Sequence, residues 1–165
     1  AWAKRARHLS TQAKKDPFTY EHDEIGYNYR LTNIQAAMGV AQMEVLDNYV
    51  ARKRAVAKKY QELLQDFPNT EFLKETQGVV SNYWLSTIKV REGSVGLLKY
   101  LNEHQIQARP VWKLIHTLPM YQDFPAYKIR HAVDCHARCI NLPSSVSITE
   151  DDIARVVTAI KEYYD

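Results

Sequence analysis

At Asp66-Phe67-Pro68-Asn69 the chain changes its hydrophobic period, and this single break limits the folds open to it. Before it, apolar residues recur at helical spacing: Ile34, Ala37, Met38, Ala41, Val45 and Leu46 in one run, Tyr49, Val50, Val56, Tyr60 and Leu63 in the next. After it, short aromatic and β-branched runs alternate with helical segments. Strands are expected at 70–73, across 79–90, at 106–111 where Pro110 stops the run, and at 139–142. Helices are expected at 93–104, 126–138 and 150–164. The sum is a two-layer α+β unit preceded by two helices and a loop.

Local chemistry places several boundaries. Thr32 and Gln35 have the spacing of a capping box, and Thr149 caps the last helix, whose Ile153, Val156, Val157 and Ile160 form an apolar stripe. Asp47 is expected to cap the second helix, with Arg52, Lys53, Arg54, Lys58 and Lys59 mostly turned outward to solvent. In the helix at 93–104, Val95, Leu98 and Leu101 share a face. Pro125 favours the entrance of the helix at 126–138. The first thirty residues lack sustained periodicity and read as a long, ordered loop with turns at Asp16-Pro17 and Gly26. Ala36, Ala37, Gly39 and Ala41 are small enough for close helix packing, in a core or against another subunit.

Composition narrows the function classes. A content of 45% hydrophobic and 25% charged residues in 165 fits a folded domain with its own core. The net charge of +3 arises from 22 basic and 19 acidic residues that intermix, so charge alone does not imply nucleic acid. No run reaches the roughly 18 apolar residues of a membrane helix, and a cytoplasmic, reducing location fits the two cysteines, Cys135 and Cys139. The opening Ala1-Trp2-Ala3-Lys4 without an initiator methionine suggests a piece of a longer protein. There is no Gly-rich phosphate loop, Ser nucleophile elbow or HExxH helix.

Three clusters carry chemistry. Gly26-Tyr27-Asn28-Tyr29-Arg30-Leu31-Thr32-Asn33 sets amide, phenol and guanidinium groups just ahead of a helix start, where an anion is favoured, although such a loop is also common without one. Arg109-Pro110-Val111-Trp112-Lys113-Leu114-Ile115-His116 offers a fork for phosphate or carboxylate, a stacking face and a proton carrier at a strand end. A packed Trp with a solvated Arg accounts for the same residues. His131, Cys135, His136 and Cys139 look superficially like a metal set, but His136 points about a quarter turn from the others on a helix, and zinc needs about four converging ligands.

On those residues the chain resembles the DegT/DnrJ/EryC1/StrS family of pyridoxal-phosphate (PLP) aminotransferases of nucleotide-sugar biosynthesis. The likeness is carried by Gly26 to Gly39, by Arg109-Pro110 with Trp112, His116 and Leu118-Pro119-Met120-Tyr121, and by Asn141-Leu142-Pro143-Ser144 ahead of Thr149-Glu150-Asp151-Asp152-Ile153. It implies an α/β protein of the aspartate-aminotransferase fold (type I), with residues 1–47 closing the large PLP-binding domain through a loop and dimer-contact helix. Residues 48–165 would form the small α+β domain.

The resemblance implies further that Asn28 reaches the cofactor phosphate of a partner subunit in a homodimer. Tyr29, Arg30, Arg109, Trp112 and His116 would face the sugar nucleotide. The Schiff-base lysine would lie upstream, so no catalytic residue is assigned in this chain and the isolated piece is expected to be inactive. Within the family, His8 to Lys14, Ser81-Asn82-Tyr83-Trp84-Leu85 and Pro110 to His116 look most like the branch that moves an amino group from glutamate to UDP-4-keto-6-deoxy-N-acetylglucosamine. GDP-perosamine synthases share much of the pattern and are the nearest rival. Two other classes stay open: a non-enzymatic interaction domain using the Ala37–Ala41 face for dimers and the Arg52–Lys59 face for acidic partners, and a zinc-binding regulator using Cys135 and Cys139.

Overall fold

The computed structural model describes residues 1–16, 18 and 20–165. These divide into two compact units, Ala1–Leu46 and Asp47–Asp165.

In the first unit, α1 (Trp2–Ser10) corrects the expectation of a loop over the first thirty residues. Ala, Lys, Arg and Leu give this stretch a high intrinsic helix propensity, and Arg7 and His8 complement the negative end of its dipole. No side chain caps its N-terminus and none of its residues is buried, so the capping signal is missing and nine residues are too few to show a sustained period. The chain then runs back along the end of α1 through bridges pairing Thr11 with Asn28 and Lys14 with His22. α2 (Asn33–Glu44) starts at the expected capping box: Gln35 N–H donates to Thr32 Oγ1, and Thr32 N–H donates to Gln35 Oε1.

The second unit is built on a four-stranded antiparallel sheet, in the order β1 (Thr70–Phe72), β2 (Ser86–Val90), β4 (Cys139–Leu142), β3 (Arg109–Pro110). Register sorts its faces. Phe72, Ile88 and Ile140 lie opposite one another on the face that carries the core, while Lys89 and Cys139, then Thr87, Asn141 and Arg109, form rows on the other. The core face is covered by α3 (Leu46–Leu64) with Val56, Ala57, Tyr60 and Leu64, by α4 (Ser94–Glu103) with Leu97 and Leu101, and by α6 (Glu150–Tyr164) with its full stripe of Ile153, Val156, Val157 and Ile160. On the opposite face α5 (Arg130–Arg138) is tied to the sheet by Asp134, which accepts from Lys89 at 2.5 Å and from Arg138 at 2.8 Å. β4, between neighbours and covered on both faces, is buried along its whole length.

Several boundaries move for physical reasons. α3 begins at Leu46, directly after the C-cap Val45 of α2, so Asp47 sits inside its first turn and complements the helix dipole instead of capping. The strand expected across 79–90 is limited to its last five residues, because Tyr83 adopts φ +44° and breaks the extended backbone. Leu97, not Val95, faces the core with Leu101, and Val95 is 79% exposed. The strand at 106–111 shrinks to Arg109–Pro110 with Pro110 inside it, and α5 starts at Arg130, four residues later than its apolar pattern suggested.

The basic residues of α3 are not a simple solvated face. Arg52 donates to the carbonyls of Val146 and Ile148, Lys53 to that of Ser144, and Arg54 forms a two-pronged pair with Glu75 at 2.9 Å for each oxygen. Partial burial lowers the Lys53 pKa. Lys58, by contrast, is exposed, and Lys59 pairs with Glu150 at 2.8 Å. No described helix is long and apolar enough to cross a membrane.

Candidate functional site: an amide-donor loop and an aromatic sheet edge

The candidate residues fall on two surfaces, one in each unit. In the first, the segment Gly26–Arg30 is stitched to the end of α1. Tyr27 N–H donates to Leu9 O at 2.7 Å, Tyr29 N–H to Ser10 O at 3.0 Å, and Gln12 N–H to Tyr27 O at 3.0 Å. Only glycine fits at position 26. A Cβ there would lie 2.5 Å from both the Ala13 nitrogen and the Gln12 carbonyl carbon, inside contact distance of two backbone atoms. The local ion pairs brace the same loop: His8 Nε2 meets Asp23 Oδ1 at 2.7 Å, and Arg5 grips both carboxylate oxygens of Glu24. The hydrogen bond with His8 holds the Asp23 carboxyl below its usual pKa.

That bracing fixes the chemistry of the exposed edge. Arg30 Nε donates to Asn28 Oδ1 at 3.0 Å, and a second guanidinium nitrogen reaches Gln12 Oε1 at 3.5 Å. With its oxygen occupied, Asn28 presents its Nδ2 hydrogens, and among the described residues they have no acceptor. The Tyr27 and Tyr29 rings stack beside it at 5.4 Å, with Tyr29 77% exposed. An outward amide with two donors, next to a guanidinium and two phenols, is a donor set suited to phosphate oxygens.

The second surface follows β3. Arg109 is exposed and lies in the row Thr87–Asn141–Arg109. Asn141 is the buried polar residue of that row. It accepts from Thr87 Oγ1 at 2.7 Å and donates to Pro110 O at 3.3 Å, so one side chain ties β2, β4 and the end of β3 together. Two residues beyond β3, Trp112 meets Trp84 with ring centroids 5.6 Å apart and planes tilted by 32°. His116 is half-buried in the short 3-10 turn Ile115–Thr117, and it makes no hydrogen bond or ring contact with Arg109 or Trp112 among the described residues.

Both Trp84 and Asn141 are details that sequence reasoning missed as site residues. Asn141 could have been found from alternation, since the period of a strand turns it away from Ile140 and toward Arg109. The Trp84 contact spans 28 positions and has no local signal. Cys135 on α5 and Cys139 on β4 are side-chain neighbours, but among the described residues no third group of the suspected metal set joins them, and His136 Nδ1 is buried without a partner. Burial, then the neighbouring Cys135, pushes the Cys139 thiol up to about 11. Among the described residues the group within reach of one ion is instead His8, Asp23 and Glu24, whose oxygens already serve the ion pairs above.

An antiparallel sheet packed by helices, preceded by a helical and loop segment, fits a fragment of a fold type I aminotransferase. The DegT/DnrJ/EryC1/StrS aminotransferase family matches residues 1–161, and the chain belongs to that family. It is 38% identical to EpsN of Bacillus subtilis (strain 168), a protein provisionally named a pyridoxal phosphate-dependent aminotransferase, over 94% of this chain and 42% of EpsN. It is 36% identical to a GDP-perosamine synthase of Escherichia coli O157:H7, over 97% of this chain and 44% of that protein. Among solved structures, PseC of Helicobacter pylori, an aminotransferase involved in pseudoaminic acid biosynthesis, superposes with a TM-score of 0.83 at 22% identity, over 96% of this chain and 44% of PseC. TlmJ of Streptoalloteichus hindustanus reaches 0.86 at 17% identity, over 98% of this chain and 44% of TlmJ. At such identities the superpositions speak for the fold. The chain spans less than half the length of the relatives it matches.

Proposed function

We propose that this chain is the C-terminal portion of a PLP-dependent aminotransferase of nucleotide-sugar biosynthesis. The whole protein moves an amino group from glutamate to C4 of a UDP-4-keto-6-deoxy-N-acetylhexosamine. The observation that carries the reading is the exposed Asn28 amide, whose oxygen accepts from Arg30 and whose Nδ2 hydrogens are left to donate. Asn28 binds a phosphate oxygen of the cofactor, and Tyr29 and Arg30 frame the sugar nucleotide, as do Arg109, Trp112 and His116 on the second unit. When bound, PLP supplies an electron sink for the carbon beside the transferred amine. The residues of this chain hold, orient and enclose. The lysine that carries the cofactor belongs to a part of the protein outside this chain, residues 1–47 close its PLP-binding domain, and residues 48–165 are its small domain.

A homodimer completes the reading. α2 exposes Ile34 (76%), Met38 (65%) and Met43 (67%), and large apolar side chains left uncovered around one helix are of the kind that marks subunit contacts. Asn28 then serves the cofactor of the partner subunit. The interaction-domain alternative loses its acidic-partner face, since Arg52, Lys53 and Arg54 are committed within the unit. A second substrate reading is favoured by the GDP-perosamine synthase relatives, and it differs in the nucleotide.

The test supplies the whole protein with PLP, glutamate and either the UDP- or the GDP-linked 4-keto sugar. Amination of the UDP sugar is expected, with the isolated 165-residue chain silent; preference for the GDP sugar would select the second reading. Turnover by the isolated chain would refute the assignment of the lysine to another part of the protein. Asn28→Leu in the whole protein is expected to lose cofactor on dialysis that the wild type retains.

A further inference from the structure

Trp84 and Trp112 stand together at the surface, 65% and 67% exposed, although indoles of this size are ordinarily well covered. The backbone that delivers Trp84 is strained and heavily braced. Tyr83 takes φ +44°, a region that non-glycine residues seldom enter, and the strain is held in place by its surroundings. Tyr83 N–H donates to Ser81 Oγ at 3.0 Å, its hydroxyl accepts from Glu75 N–H at 3.1 Å, and its ring packs on Phe72. Ser81 and Glu75 are in turn gripped by Arg54. Trp84 N–H donates to Asn82 Oδ1 at 3.0 Å. The effect is to send Tyr83 inward and Trp84 outward, against Trp112, with Asn141 fixing the Pro110 carbonyl from which the Trp112 segment departs.

A centroid separation of 5.6 Å is already that of two rings in contact, so no ligand ring enters between them. With Trp84 against it, Trp112 still has most of its surface open to solvent. Arg109, on the same segment, adds an exposed fork for an anion. A flat ring on a phosphorylated carrier is the chemistry that matches a stacking face beside a guanidinium.

We infer that Trp84 is a positioning residue for substrate: it backs Trp112 and sets the plane on which a ring of the sugar nucleotide, base or pyranose, stacks. This rests on the reading of Trp112 and Arg109 as substrate-facing. Trp84 itself touches Trp112 and acts through it.

The experiment uses the whole protein and three readouts: KM and kcat for the keto-sugar nucleotide, the absorbance change that glutamate induces in the bound cofactor, and equilibrium binding of UDP and GDP by fluorescence. Trp84→Ala is expected to raise KM roughly 3- to 10-fold, the size of one aromatic pair's contribution, with kcat and the glutamate response unchanged. Trp84→Phe should restore most of the loss. If nucleoside diphosphate binding weakens in parallel, the base is the stacked ring; if only the KM of the sugar nucleotide moves, the pyranose is. An unchanged KM together with unchanged UDP and GDP binding in Trp84→Ala would overturn the inference, as would a fall in kcat alone. Failure of the aminotransferase reading is separately visible, as a wild-type protein with no response to glutamate.

Discussion

Gly26 sits where two backbone atoms leave no room for a Cβ, and the segment it starts carries Asn28. Gly26→Ala should therefore push the Tyr27–Arg30 segment off α1, at a cost of about 1–3 kcal/mol typical of overpacking. Hydrogen exchange reads this directly: the Tyr27 and Tyr29 amides, which bond to Leu9 and Ser10, should lose protection while amides in β2 keep theirs. Equal protection in both proteins would show that the loop does not depend on the close approach. The types of residue around Asn28 were legible in sequence. The direction of its amide was not, because that depends on Arg30, whose guanidinium also reaches Gln12, 18 positions away in the chain.

Among the elements, α2 is apolar around much of its surface and has no buried residue within its own unit. Its capping box and helical spacing were readable, yet spacing alone left core and interface equally open. Exposure settles that the surface is uncovered within this chain. The whole protein is expected to sediment as a dimer, and Met38→Glu should shift it toward monomer, because a carboxylate would be buried without a partner in the contact. A monomeric wild type would remove α2 from the subunit interface. α1 teaches the opposite lesson: a nine-residue helix with neither a side-chain cap nor a buried residue is too short to stand out as a sustained period in a stretch otherwise read as loop.

For the molecule as a whole, two carboxylates couple folding to pH. The hydrogen bonds from Arg54 and from Ser81 N–H hold Glu75 at about 2, against an ordinary value of 4.5, and those from Arg138 and Lys89 hold Asp134 at about 2, against 3.8. Both native pKa values lie below the unfolded ones, so the unfolded chain binds more protons between about pH 5 and 2. Stability from these pairs is complete above that window and falls as the pH drops through it. Urea midpoints should decline between pH 5 and 2, and Glu75→Gln should flatten the decline; an unchanged slope in the variant would rule out the Arg54–Glu75 pair as a source.

The sequence by itself determined the α+β class, the capped helices at Thr32 and Thr149 and the strand at 139–142, because local hydrogen bonding and hydrophobic period are written in neighbouring residues. Only the tertiary structure decided that Arg52, Lys53 and Arg54 turn inward to distant carbonyls and to Glu75, that Tyr83 takes a left-handed turn, and that Trp84 lies on Trp112. The contacts of Arg52, Lys53, Arg54 and Trp84 join groups 21 to 96 positions apart, whose pairing is fixed by packing and desolvation and leaves no pattern along the chain.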